Sequence, residues 1–171
     1  MIRINCMRNI QEDMFWKQID FYTNLKRNNL KNKPSYKINL NMDCKILTYY
    51  NNGNLNDYME IPAFTVIFKG KLAEINRYKQ AELHCEYGPA IITFDDNGNL
   101  KSESCYLNSR LNSLSNRPAI LKYQGGNITV QQHYINGHLN DNNGEAAHKI
   151  WNSEGFLIEE SHFADGKKYE M

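Results

Sequence analysis

Three of the chain's four prolines stand in Pro-Ala pairs, Pro62-Ala63, Pro89-Ala90 and Pro118-Ala119, and a further small pair, Ala146-Ala147, follows at the same stride. The steps between them are 27, 29 and 28 residues. A period of this size constrains the fold more than any other feature. Each unit is one supersecondary piece that cannot bury its own apolar face, so the units must stack on one another.

The internal phasing of the four copies points to strands. Five residues after the proline position come Ile67, Phe94, Tyr123 and Trp151, and three or four residues later Gly70, Gly98, Gly126 and Gly155. Two residues on stand Leu72, Leu100, Ile128 and Leu157, then six residues beyond them Tyr78, Tyr106, Tyr134 and Phe163. A small or turn residue follows: Ala81, Ser109, Gly137 or Gly166. Each copy therefore reads as an outgoing strand, a glycine turn, a return strand and a second turn. Proline suits the first residue of a strand, where its missing N–H breaks no ladder. Side chains two residues apart share a face of a strand, which predicts that Leu100 and Tyr106 lie on the more buried side, with Ile128, Val130 and Tyr134 likewise. Phe94, Tyr123 and Trp151 are expected to be substantially buried as a core column.

Tyr50, Gly53 and Leu55 precede Pro62 as Tyr134, Gly137 and Leu139 precede Ala146, so half a copy stands before the first full one. Its strand is expected over Lys37 to Tyr50. Ahead of it, Asn9 and Glu12 form a capping pair, and Phe15, Ile19 and Tyr22 give an apolar stripe at helical spacing. The expected fold is mainly β, an antiparallel meander of hairpin repeats over residues 37–171, preceded by a helical segment over residues 1–36 with its helix from about Ile10 to Asn28.

The segments FDDNGNLKSESCYLNSRL and IWNSEGFLIEESHFADGKK resemble the variant form of the MORN repeat, whose units run aromatic, turn, Gly-x-Leu, charged strand, aromatic, Gly-Lys. The resemblance covers about residues 44 to 171. The Pro-Ala opening also looks like related repeats abundant in giant-virus proteins. It implies extended antiparallel meanders that serve as scaffolds and binding surfaces, some bacterial members being labelled antitoxins. Where such repeats carry His-Gly or His-Arg after the second turn, this chain has Leu83-His84, Leu111-Asn112, Leu139-Asn140 and Lys168-Tyr169.

With 41% hydrophobic residues and 23% charged ones, the chain can bury a core, and a formal net charge of +1 leaves no global field to recruit nucleic acid or an anionic membrane. No apolar run approaches the roughly 18 residues of a membrane-spanning helix, so no membrane insertion is expected. Cys6, Cys44, Cys85 and Cys105 are scattered without a close pair, which reads as free thiols in a cytoplasmic setting. Local charge is concentrated in Lys26, Arg27, Lys31, Lys33 and Lys37, with no acidic residue between Asp20 and Asp43. These cations suit a helix C-terminus and a solvated loop. They are also the one candidate patch for nucleic-acid or anionic-ligand binding.

Nothing in the sequence converges on catalysis. There is no nucleophile elbow, phosphate loop or nucleotide fingerprint, and no zinc spacing. His84 and Cys85 are neighbours in a strand and point to opposite faces. Arg77, Cys105, His133 and His162 share one register position, just before each return-strand aromatic, and read as a polar exposed stripe. Successive return strands lie too far apart for neighbouring members to share a metal ion. With Glu103, Gln131 and Glu160 they form the candidate binding surface, and no catalytic, cofactor or metal residue is assigned. The expected function is a non-catalytic module that binds and blocks a protein partner, as an antitoxin, immunity protein or viral inhibitor does. Nucleic-acid binding through residues 26–37 and an unrecognised hydrolase are the alternatives.

Overall fold

The computed structural model describes residues 43–115 and 117–170 together with their side chains. The helix expected over residues 10–28, the start of the strand expected from Lys37, and Lys26, Arg27, Lys31, Lys33 and Lys37 lie outside these described residues. Among the described residues every regular element is a β-strand, and every pairing is antiparallel. They fall into two compact units. One runs to Glu82, the other starts at Leu83, and turn residues Asp96–Gly98 group with the first.

In the first unit, strands Cys44–Thr48, Phe64–Phe68 and Lys71–Asn76 lie side by side, with Ile46 opposite Val66 and Thr65 opposite Ile75. In the second, Ile91–Phe94, Leu100–Ser104, Ile120–Gln124, Asn127–Gln132, His148–Trp151 and Leu157–Ala164 follow one another across the sheet in chain order. Every outgoing strand starts one residue after its buried alanine, so the proline position expected as the first strand residue lies just ahead of the strand. Between the long hairpins stand short ones, such as Tyr50–Asn51 with Asn54–Leu55, Tyr106–Leu107 with Arg110–Leu111 and Tyr134–Ile135 with His138–Leu139. Their two central residues both have positive φ at Asn52-Gly53, Asn108-Ser109 and Asn136-Gly137, the turn whose twist matches that of paired strands.

Each long hairpin also carries a bulge at the same place. Ile67 faces Leu72 but Val66 faces Glu74, so Ala73 is the extra residue; Lys101, Thr129 and Ile158 are the extra residues of the later copies. An extra residue breaks the two-residue alternation on which the expected faces were built. The outcome differs from that expectation: Cys105 and His133, one residue before Tyr106 and Tyr134, are the buried ones.

The tightest packing is at the small residues. Ala63, Ala90, Ala119 and Ala147 are wholly buried, and Cys105 and His133 are the largest side chains buried to that degree. Phe94, Tyr123 and Trp151, expected as the core column, are only half-buried. They sit at the bulge, where the return strand doubles back, and Tyr123 turns its hydroxyl to Glu103 at 2.8 Å rather than into an apolar layer.

Candidate functional site

The polar side chains of the repeat gather where each short hairpin meets the next copy. At residues 57, 85, 113 and 141, spaced by 28, the backbone N–H donates to the carbonyl of the following return-strand aromatic: Asp57 to Tyr78 (2.8 Å), Cys85 to Tyr106 (3.1 Å), Ser113 to Tyr134 (2.8 Å) and Asp141 to Phe163 (2.8 Å). This clasp brings the residue just before the aromatic against the same position. In three copies their side chains meet: Asp57 with Arg77 at 3.3 Å, Ser113 with His133 at 3.3 Å, and Asp141 with His162 at 2.5 Å. In the remaining copy the positions hold Cys85 and Cys105.

The two aspartates make the same contacts. Asp57 Oδ1 accepts from the N–H of Ala63 (2.8 Å) and of Tyr78 (2.9 Å), and Asp141 Oδ1 accepts from the N–H of Ala147 (2.8 Å) and of Phe163 (2.9 Å). Asp141 Oδ2 further accepts from His162 Nδ1 and from the Tyr169 hydroxyl at 2.6 Å. Burial works to raise the Asp141 pKa, but the hydrogen bonds from Tyr169, the Phe163 N–H, His162 and the Ala147 N–H outweigh it and bring it down to about 2.

His133 has the densest surroundings. Its ring meets Ser113 Oγ at 3.3 Å, Gln131 Nε2 at 3.1 Å and Glu145 Oε2 at 3.3 Å. Gln131 also donates to Glu145 Oε1 at 2.7 Å, and Lys149 donates to the same oxygen at 3.0 Å. Burial pushes the His133 pKa down against the pull of Glu145, which keeps the ring neutral at neutral pH. Ser, His and Glu in a row have the side chains of a hydrolytic triad. Two features oppose that chemistry: His133 is fully buried, and Ser113 Oγ already accepts the Tyr134 N–H at 3.0 Å.

A second ladder lies one residue earlier. Asn56, Asn112 and Asn140 each accept, through Oδ1, the N–H of the next short turn, from Gln80, Asn136 and Asp165. At the matching position His84 accepts the Asn108 N–H through Nδ1 at 3.2 Å. An imidazole nitrogen and an amide oxygen can fill the same acceptor role, so His84 can stand where the other copies have Asn.

The structure thus redistributes the residues read as a binding surface. Cys105 and His133 are buried at 1% and 0% exposure and cannot touch a partner directly, because the bulge and the clasp turn them inward. Burial also pushes the Cys105 thiol up to about 11, so it is protonated and unreactive at neutral pH. Arg77 and His162 are held by their aspartates. Glu103 is gripped by Arg117 at 2.7 Å and by Tyr123, and Gln131 by Glu145. Of this set only Glu160 remains largely open to solvent, beside Lys149 at 3.7 Å. Among the described residues no three His, Cys, Asp or Glu side chains gather as a metal ion would require, and no helix is long and apolar enough to cross a membrane.

Sequence reasoning missed Asp57, Ser113 and Asp141, and it weighed Cys85 only beside His84 and not as their equivalent. Their spacing of 28 was visible, but their residue types differ, so no single chemistry drew attention to them. It also missed the exposed run Phe156, Leu157 and Ile158, which stands where Gly98 is followed by Asn99, Leu100 and Lys101. No protein-family model matches the chain, nor does any curated protein or solved structure.

Proposed function

We propose that this chain is a non-catalytic repeat module that binds a partner protein and blocks it, in the manner of an antitoxin, immunity protein or viral inhibitor, and that it is built like the variant MORN repeats it resembles. The observation that carries this reading is the equivalence of the clasps. A set of side chains with catalytic composition among the described residues, Ser113, His133 and Glu145, occupies a place that other copies fill with Asp57 and Arg77 or with Cys85 and Cys105. A position that accepts such different pairs serves the fold, since a nucleophile and its base cannot be exchanged for a salt bridge and keep a reaction. The hairpins then offer a rigid, regularly spaced surface suited to macromolecular recognition.

The test is partner capture from the native host followed by titration of the purified partner's activity. Inhibition complete at one equivalent, and retained by Ser113→Ala and His133→Gln variants that stay folded, is the expected result. Inhibition that needs far less than one equivalent, grows with time and disappears in either variant would show a catalyst. Tight, salt-sensitive binding of DNA or RNA that is lost when Lys26, Arg27, Lys31 and Lys33 become Gln would overturn the reading in favour of the basic segment.

A further inference from the structure

Return strands in the second unit have a fixed use for their outer edge. Ser102–Ser104 pairs outward with Lys122–Ile120 of the next copy, and Val130–Gln132 pairs outward with Ile150–His148. Glu159–Ser161 is the same stretch of the fourth copy. It pairs inward with Ile150–His148, while the strand after it, Lys167–Tyr169, covers only His162–Ala164. Among the described residues nothing pairs with the outer edge of Glu159–Ser161, which therefore presents backbone donors and acceptors as a template for another strand.

The side chains around this edge break the pattern of the repeat. Where earlier copies carry Lys71, Asn99 and Asn127, the fourth has Phe156, 65% exposed; where they carry Ala73, Lys101 and Thr129, it has Ile158, 64% exposed. An edge facing only solvent favours polar residues at such places. Here the change is from polar or small to large and apolar, beside the half-exposed Leu157.

Charge selects the occupant. Glu103, the equivalent of Glu160, is met by a residue of the next copy: Arg117 grips it at 2.7 Å, just ahead of the strand that pairs with it. Glu160 has its carboxylate near Lys149 of its own hairpin and is still 43% exposed, with Glu159 beside it at 52%. A second copy pairing edge to edge through this stretch would bring glutamates against glutamates, which is unfavourable. We propose that the outer edge of Glu159–Ser161, flanked by Phe156, Leu157 and Ile158, is a docking site for an extended, basic segment of a partner protein, added antiparallel as a further strand. The segment places an Arg or Lys toward Glu160 and aliphatic side chains over Phe156 and Ile158. This inference rests on the protein-binding reading above and names the surface and the partner chemistry.

The probe is a labelled synthetic peptide with the sequence of Arg117–Gln124, the chain's own segment that fills the equivalent edge one repeat earlier. Saturable binding at one peptide per chain is expected. It should weaken about tenfold or more with Glu160→Lys, through lost charge pairing, and should vanish for the same peptide N-methylated at the residue matching Leu121, which stands opposite Glu103 in the ladder and when methylated cannot complete it. The double variant Phe156→Asn, Ile158→Thr, which restores residues that earlier copies carry, should weaken it too while leaving the fold intact. Equal binding by the Glu160→Lys protein or by the methylated peptide would overturn the proposal, as would self-association lost in the Phe156→Asn, Ile158→Thr variant, which would make a second copy the occupant. If a captured partner still binds these variants one-to-one with unchanged affinity, the edge is wrong and the protein-binding reading stands. If instead the effect on the partner is catalytic, the reading itself falls.

Discussion

The clasps of the second and fourth copies close the same loop with opposite chemistry. In one, Cys85 and Cys105 stand at the two positions; in the other, Asp141 takes hydrogen bonds from His162, Tyr169 and two backbone N–H groups. The backbone bond beneath them is shared, Cys85 to the Tyr106 carbonyl and Asp141 to the Phe163 carbonyl. The geometry is therefore a property of the repeat, and the side chains only choose how the enclosed space is filled. Two thiols fill it with small, weakly polar groups that ask little of their surroundings. A half-buried carboxylate must instead be met by donors on its covered side, and it is stabilising only while those partners are present.

The largest effect expected from this contrast is on stability. Asp141→Ala removes an acceptor of four hydrogen bonds and leaves His162, Tyr169 and the Ala147 and Phe163 N–H groups without it, which should cost about 3 kcal/mol in urea unfolding. Cys85→Ala should cost about 1 kcal/mol, since it deletes one half-buried sulfur. Equal costs would mean that the shared backbone bond, and not the side chains, carries the clasp.

Acid should separate the two copies next. The Asp141 carboxyl, held down to about 2, contributes stability that is fully present above its unfolded pKa near 4 and is lost as pH falls toward 2, because the unfolded chain binds the proton first. His133, pushed down by burial, adds a loss that begins higher: below about pH 6.5 the unfolded chain takes up a proton that the folded ring refuses. Unfolding free energies measured between pH 7 and 2 should show both limbs. The lower limb should shrink in Asp141→Asn, the upper in His133→Gln, and neither should change in Cys85→Ala. A Cys85→Ala variant that altered either limb would contradict the assignment.

The smallest difference lies in the turns of the same two copies. Asp165-Gly166 and Asn108-Ser109 both have positive φ at both residues. Gly166→Ala should cost about 1 kcal/mol, since a Cβ there adds left-handed strain and comes 3.4 Å from His138 Nδ1. Ser109→Gly should change stability by less than about 0.5 kcal/mol, because relief of strain is offset by loss of the bond from the Leu83 N–H to Ser109 Oγ at 3.1 Å. Thermal unfolding of the two variants distinguishes these outcomes, and a clear gain for Ser109→Gly would show that the serine hydroxyl contributes nothing.

The spacing of Pro62, Pro89, Pro118 and Ala146 was enough to read the hairpin repeat, because turn chemistry and strand alternation act within a few residues along the chain. Asn52-Gly53 and Asn136-Gly137 announce their turns directly, and the alanines after each proline position mark where outgoing strands begin. What only the tertiary structure decided is which side of each return strand is inside and which residues meet across copies. The extra residue at Ala73, Lys101, Thr129 and Ile158 reverses the alternation without any residue type to announce it, so Cys105 and His133, legible as a polar stripe, turn inward. Asp57 with Arg77, Ser113 with His133 and Asp141 with His162 are 20 or 21 residues apart in the chain and meet only because the intervening hairpin closes. Sequence periodicity records what each strand is; contacts of that separation depend on how many residues the hairpin spends before it returns, and that count belongs to the fold.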